Sequence, residues 1–571
     1  MATTLKKTDV VIVGMGGAGG VAALPLVQAG IEVVGIEAGT WLKTTDMVPD
    51  ELRIQRMGWP PGPQKVRGEA PTSRANSDAT AVRGNAAMIN AVGGTTMHYM
   101  AQAWRLHPWD FAVVSETRRR YGASRIPAGS TVEDWPLTYE DLEPYYDKVE
   151  YALGISGKAG NIKGRKIDGG NFFEGFRNRE YPMPPLRTTG FMEHMTKAAR
   201  NLKLHPFIGP AAILSKPYEG RFACGYHGYC MSLGCHLEAK SSPAVSSIPK
   251  AMKTGKLKVV TEASVTRIEV DRSGRATGVT YIKGSEEYFQ PADVVFISSQ
   301  TMENVRLLLL STSAAFPKGL SNNHGQVGKH YFSHAQFGSV SAVFPMDLRN
   351  WYGTPGQGIC CDDWADDNFD HAGLNFIGGG TMYVYGERRP LAAVNAVQNP
   401  GGPTWGSAWK KNLINAVDRT NGAYMQRSTF PYEGNYLDLD PTTKDPMGNP
   451  VIRITASFRE NEERISLFVG EKMREWYMAA GASQVTGNGI VRAGSAMGNS
   501  THAYGGTRMG RNPDTNVLNE WGMSHEVPNL AIAGGSVMGT SGARNPTLTL
   551  QAVAWRTAEH IAKKWKSIVG D

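Results

Sequence analysis

Val10–Gly20 reads VVIVGMGGAGG: a β-branched apolar run, glycines at 14, 16 and 19, then small apolar residues. So bare a turn after a strand leaves the chain few options. The glycines permit a tight reversal and let backbone come close to a ligand. A helix starting there aims free N–H groups and its positive dipole end at an anion, and a pyrophosphate suits that position. A second apolar run, Ile31–Gly39 (IEVVGIEAG), carries Glu37 at its end, within reach of a ribose hydroxyl. A carboxylate there repels a 2′-phosphate, so FAD or NAD is expected rather than NADP. Glycine-rich turns also occur for purely structural reasons. Pro25, inside the expected helix, lacks an N–H and is expected to kink or loosen its third turn.

The 571 residues suffice for more than one folding unit. With 60 basic and 52 acidic residues the net charge is +8, spread without a long single-sign run, so no nucleic acid or membrane surface is expected as a partner. No stretch approaches the roughly 18 consecutive apolar residues of a membrane span. No repeat period or low-complexity tract is present. Residues 7–40 read as strand, helix, strand; 258–311 as two strands, a third strand ADVVFISSQ and an apolar helix; 528–565 as a short strand and a final helix. Segments rich in Gly, Pro, Trp and Tyr lie between them and form a second, interrupted domain. Ile465, Phe468, Val469, Met473, Trp476 and Tyr477 share one face of a helix, as a core stripe does.

Reactive candidates cluster near the C-terminus: His502 in STHAYGGTRMG and Asn545 in SGARNPTLTL. Alcohol oxidation needs a base of near-neutral pKa and a fixed polar group to hold the oxygen as negative charge develops. A histidine and an asparagine can fill those roles. Taken singly, His502 equally suits a satisfied core histidine, and Asn545 a left-handed or capping residue before Pro546.

Together with the opening fingerprint, the stretches GGTTMHYMAQAWR, ADVVFISSQTMENVRLLLLS, THAYGGTRMG and NPTLTLQAVAWRTAEHI stand in an order that resembles the glucose–methanol–choline (GMC) oxidoreductases over essentially the whole chain. DWPLTYEDLEPYYDKVEYALGISGKAGN and CGYHGYCMSLGCHLEAKSSP resemble the flavoprotein subunits of bacterial gluconate and sugar dehydrogenases. The resemblance implies FAD and an α/β (α+β overall) architecture. A Rossmann-like FAD-binding domain is built from 1–110, 221–330 and 491–571. A substrate-binding domain with a largely antiparallel sheet is built from 111–220 and 331–490. By the same resemblance His502 is the catalytic base and Asn545 its partner. Gly14, Gly16 and Gly19 approach the pyrophosphate, Glu37 the adenosine ribose, Val265 the adenine and Thr547 the flavin pyrimidine edge, with Gly94 and Gly535 also in the cofactor site. Gly534 stands where many relatives carry Asp. The implied reaction converts a secondary hydroxyl of a sugar, aldonic acid or glycoside to a ketone. An oxygen-using oxidase, a non-catalytic electron-transfer subunit and a NAD-linked dehydrogenase are the alternatives.

His98 matches the position where some relatives join a histidine to the flavin, and a histidine that simply packs beside the ring is the other reading. Three of the five cysteines, Cys224, Cys230 and Cys235, fall within twelve residues. Their spacing resembles a run that holds a [3Fe–4S] cluster in membrane-associated relatives. Zinc with His227 or His236, or plain reduced thiols, remain open alternatives. The resemblance implies a small subunit and a cytochrome acceptor as partners. MATTLKKTDVVIVG shows no export signal, so a cytoplasmic location is expected, with co-export to the periplasm by a signal-bearing partner as the alternative.

Overall fold

The computed structural model describes residues 2–47, 50–52, 71–83, 88–228, 230, 233–334, 340–349, 351–354, 356, 358–386, 403–498 and 500–570. The opening apolar runs form β1 (Thr8–Val13) and β2 (Val33–Ile36), joined by α1 (Gly19–Gln28). Val10, Val11 and Ile12 are wholly buried, as befits a central parallel strand covered on both faces. β1 pairs parallel with β2, and β2 with β3 (Leu257–Val260). β4 (Ala263–Val270) and β5 (Ala276–Lys283) make an antiparallel meander with the first half of β6 (Glu286–Ile297).

Pro291 marks a change of partner within β6. Up to it the strand pairs antiparallel with β5; from Ala292 it pairs parallel with β1, and from Val295 also with the strand Leu530–Ile532. A proline offers no N–H to a ladder, so it belongs where one partner ends and another begins. The sheet order is β4–β5–β6–β1–β2–β3, and α2 (Thr301–Leu310) follows β6. α1 continues through Pro25 and stops three residues later at Gln28, followed by Gly30 with φ +90°. The C-terminal helix Thr547–Lys563 packs against both α1 and the helix Tyr139–Leu153, where Tyr146 Oη lies 2.8 Å from Thr549 Oγ1.

A second sheet is antiparallel throughout. Its strands are β7 (Val340–Val343), β8 (Gly358–Cys361), β9 (Gly380–Tyr385) and β10 (Thr420–Arg427). α3 (Glu460–Ala479) and β11 (Gln484–Thr486) complete the unit. The order is β11–β7–β10–β9–β8, with the short strand Phe207–Ile208 at the far edge. Ile465, Val469, Met473, Trp476 and Tyr477 of α3 are buried against Met382, Val384, Ala423 and Met425, and Phe468 packs partly buried beside them. The alternate residues of the same strands, Tyr383, Tyr385, Tyr424 and Gln426, therefore face away from α3. Among the described residues no helix is long and apolar enough to cross a membrane.

Candidate active site

A cleft of about 1000 Å³ is lined by residues of both sheets. Its nucleotide end is mostly backbone. Gly14 and Gly16 line it, with Gly94 opposite. Gly14 has φ +90°, and a Cβ there would sit 2.9 Å from the Ser298 carbonyl oxygen. A Cβ on Gly94 would sit 3.0 Å from the Cα of Gly16. Gly19 is outside the lining: a Cβ on it would lie 2.1 Å from the Gly14 carbonyl oxygen, so this glycine allows α1 to pack close beneath the turn. α1 and the helix Thr547–Lys563 both begin at the cleft without a side-chain cap; in α1 the Gly20 and Val21 N–H groups donate to the Gly16 and Ala18 carbonyls at 3.0 and 3.1 Å, so its positive dipole end is what it offers a ligand.

Glu37 stands at the same end with both oxygens engaged. Oε2 accepts the Met15 N–H at 2.9 Å and Oε1 the Gly39 N–H at 3.0 Å. Burial pushes its pKa up to about 7 against the lowering effect of those bonds. Val265, Gly535 and Thr547 line the cleft, as do His98 and Gly534. Burial, with a smaller contribution from the Lys240 charge, lowers the His98 pKa to about 4. Gly534 has φ +110°, a conformation that disfavours an aspartate there although space is available. An open cleft, a glycine turn and two uncapped helix starts fit a dinucleotide such as FAD.

The reactive end is made of side chains from distant parts of the chain. His502 and Asn545 meet on the cleft wall, with Asn545 Nδ2 3.2 Å from His502 Nε2. Burial, and after it the neighbouring His334, holds the His502 pKa well below the usual histidine value. His334 carries no motif in KHYFSHAQF, and sequence reasoning missed it. It arrives through a two-residue antiparallel ladder in which Phe332 pairs with Tyr504 and Ser333 with Ala503. Continuing that register sets His334 opposite His502, and their Nδ1 atoms are 2.9 Å apart.

Arg544 and Asn545 are neighbours that turn opposite ways. Arg544, 1% exposed, runs into the protein, where Nη2 donates to Asp362 at 2.7 Å and Nη1 pairs with Asp366. The guanidinium holds the Asp362 carboxyl far below its usual range despite complete burial. The same cluster reaches the second sheet: Thr381 of β9 donates to Asp362 at 2.7 Å, and Asn171 Nδ2 does so at 2.7 Å. Thr429, just past β10, donates its N–H to Ser541 Oγ at 3.0 Å. The loop carrying Asn545 is thus fixed from behind, and its amide is the part left facing the cleft.

Cys224, Cys230 and Cys235 are the cysteines that the sequence offers as candidate cluster ligands. Among the described residues no group of three His, Cys, Asp or Glu side chains could hold a metal ion. Cys224 Sγ accepts the Tyr226 N–H at 3.4 Å, and His227 stacks on His236 at 4.9 Å between ring centres. A cation already organises the loop: the buried Lys240 ammonium donates to the carbonyls of Cys230 at 3.2 Å and Tyr99 at 2.9 Å, and to that of Leu233.

A cleft shaped for a dinucleotide, with a histidine and an amide side by side on its wall, is compatible with oxidation of a CH–OH group. The comparisons give the family. GMC oxidoreductase models match residues 209–336 and 431–554. The chain is 31% identical over 595 residues to a gluconate 2-dehydrogenase flavoprotein from Pantoea cypripedii, covering 99% of this chain and 95% of that protein. It is 29% identical over 575 residues to a 2-methyl-1,2-propanediol dehydrogenase from Mycolicibacterium austroafricanum, covering 100% and 98%. Among solved structures, pyridoxine 4-oxidase from Mesorbium loti has the same fold, with a TM-score of 0.59 at 14% identity over 97% of this chain and 99% of that one. The chain belongs to the GMC oxidoreductases, and membership implies FAD as its cofactor.

Proposed function

We propose that this enzyme oxidises a secondary hydroxyl of a sugar, aldonic acid or glycoside to the ketone, with His502 as the base. The observation that carries the reading is the pairing of His502 Nε2 and Asn545 Nδ2 on the wall of the cleft that the glycine turn opens. Bound FAD supplies the hydride acceptor. His502, kept neutral by burial, takes the hydroxyl proton on Nε2, while the Asn545 N–H holds the substrate oxygen as negative charge develops. Gly14, Gly16, Gly94, Gly535, Val265, Thr547 and Glu37 form the cofactor's cradle in this reading. His98, neutral down to about pH 4, keeps a ring nitrogen lone pair in the same wall and is the residue that would bond covalently to the flavin.

Two β10 side chains suit a hydroxylated ring. Tyr424, 37% exposed, stacks on Tyr385 with ring centres 5.4 Å apart and turns an aromatic surface to the cleft. Gln426 is 8% exposed, and its buried Oε1 has no hydrogen-bond partner among the described residues, so a substrate hydroxyl would satisfy it. The test is anaerobic bleaching of the purified flavoprotein by a panel of sugars, aldonates, glycosides and simple secondary alcohols. Cyclic polyhydroxylated substrates are expected to bleach it at the lowest concentrations, and Tyr424→Ala to raise KM for them about tenfold. A fully loaded enzyme that no member of the panel bleaches would refute the reading.

A further inference from the structure

We propose that His334 is the positioning residue that fixes the reactive tautomer of His502, leaving Nε2 unprotonated toward the cleft. The proposal rests on the reading of His502 as the base and adds what makes it one. The argument starts at Gly542, whose carbonyl oxygen lies 2.9 Å from His334 Nε2. A carbonyl only accepts, so that nitrogen carries the proton. Burial lowers the His334 pKa to about 4, so the ring is neutral at working pH and its Nδ1 is an acceptor. The atom facing that acceptor, at 2.9 Å, is His502 Nδ1, which must therefore be the protonated nitrogen of its own ring. His502 Nε2 is left with a lone pair, and Asn545 Nδ2 donates toward it at 3.2 Å. One backbone carbonyl thus sets two rings in sequence.

The surroundings keep this order in place. Tyr504, stacked on Phe332 at 5.0 Å, has its hydroxyl 3.2 Å from His334 Nδ1, farther than the 2.9 Å of His502 Nδ1, so the one lone pair there is assigned to the His502 N–H. Burial holds the Tyr504 phenol protonated. The charged groups acting on His334 are Arg427 and Asp366, with opposite effects, and Asp110 acts on Tyr504. When His502 Nε2 takes the substrate proton, the Nδ1–H bond to His334 becomes charge-assisted and strengthens. His334 then stabilises the imidazolium as well as choosing the tautomer, the role of a third group behind a catalytic base.

The experiment uses the FAD-loaded enzyme with His334→Leu and His334→Asn, each alone and in a His502→Ala background. Leucine removes the acceptor, and kcat is expected to fall on the order of 10²-fold with little change in KM. Asparagine retains an acceptor oxygen near the Nδ1 position, and kcat is expected to stay within about tenfold of wild type. In the His502→Ala background His334→Leu is expected to cost nothing more, because its effect passes through His502. An equal loss in both backgrounds, or an asparagine variant as impaired as the leucine variant at full flavin content, would overturn the proposal. Normal turnover by His502→Ala would instead bring down the base assignment beneath it. Ring ¹⁵N spectra of the wild-type enzyme, assigned against His502→Ala, need no folded His334 variant. They are expected to show His502 protonated at Nδ1, and protonation at Nε2 would contradict the proposal.

Discussion

The two ends of the cleft are built from different material. At the nucleotide end the chain offers bare backbone: a turn at Gly14–Gly16, a glycine facing it at 94, and two uncapped helix starts. At the reactive end it offers side chains held by other side chains. His502 leans on His334, which leans on Gly542, and Asn545 stands on a loop tied down by the buried Arg544 cluster. The first end leaves room; the second fixes the direction of its side chains. Substitutions should therefore fail differently at the two ends.

The largest effect is expected behind the reactive end. Arg544→Met leaves Asp362 and Asp366 buried without their cation, and breaking such a pair costs about 3–5 kcal/mol. Thermal unfolding should show a lowered Tm, and residual folded enzyme should have misplaced Asn545 and reduced kcat. A variant of wild-type stability would mean that the cluster does not anchor the loop.

Acid should strike both ends alike. His98 at the nucleotide end and His334 at the reactive end have folded pKa values lowered to about 4 from 6.5. Between those values the unfolded chain binds protons that the folded one refuses, so stability falls as pH drops from 6.5 to 4 and levels below that. The loss is about 3 kcal/mol for each ring. Denaturant titrations across this window check the sign; stability that rises on acidification would contradict it.

The smaller effect belongs to the nucleotide end. Gly14→Ala places a Cβ against the Ser298 carbonyl at a left-handed φ, a strain of about 1–3 kcal/mol. FAD affinity is expected to drop about tenfold or more while turnover per bound flavin is unchanged. Equilibrium dialysis with FAD, set beside kcat normalised to flavin, separates the two quantities. A variant that kept its flavin but lost kcat would erase the distinction between the ends.

This difference also explains what could be read in advance. The β1–α1–β2 unit was legible because its logic is local: β-branched run, glycines at fixed spacing and a carboxylate on the next strand all fall within thirty or so residues. The α3 stripe was legible for the same reason, being a single periodicity. His502 and Asn545 were found through the company of family motifs, not through spacing of their own. His334 was not found, because its role is created by a two-residue ladder between segments 168 positions apart, and nothing near Ser333 announces it. Gly19, in the same fingerprint, is where a Cβ would meet the Gly14 carbonyl, a packing demand that the motif spacing carries with it. The cysteine run offers a spacing that resembles a ligand set, and nothing near it announces that Lys240 ties the loop together through its carbonyls.

The central claim is that a neutral His502 takes the substrate's proton at a cleft whose cofactor is held independently of it. The most direct measurement is the anaerobic rate at which a saturating sugar substrate bleaches the flavin in His502→Ala, at verified full FAD occupancy. The account predicts unchanged flavin content and a rate slower by about 10²-fold or more. A wild-type bleaching rate at full occupancy would contradict it.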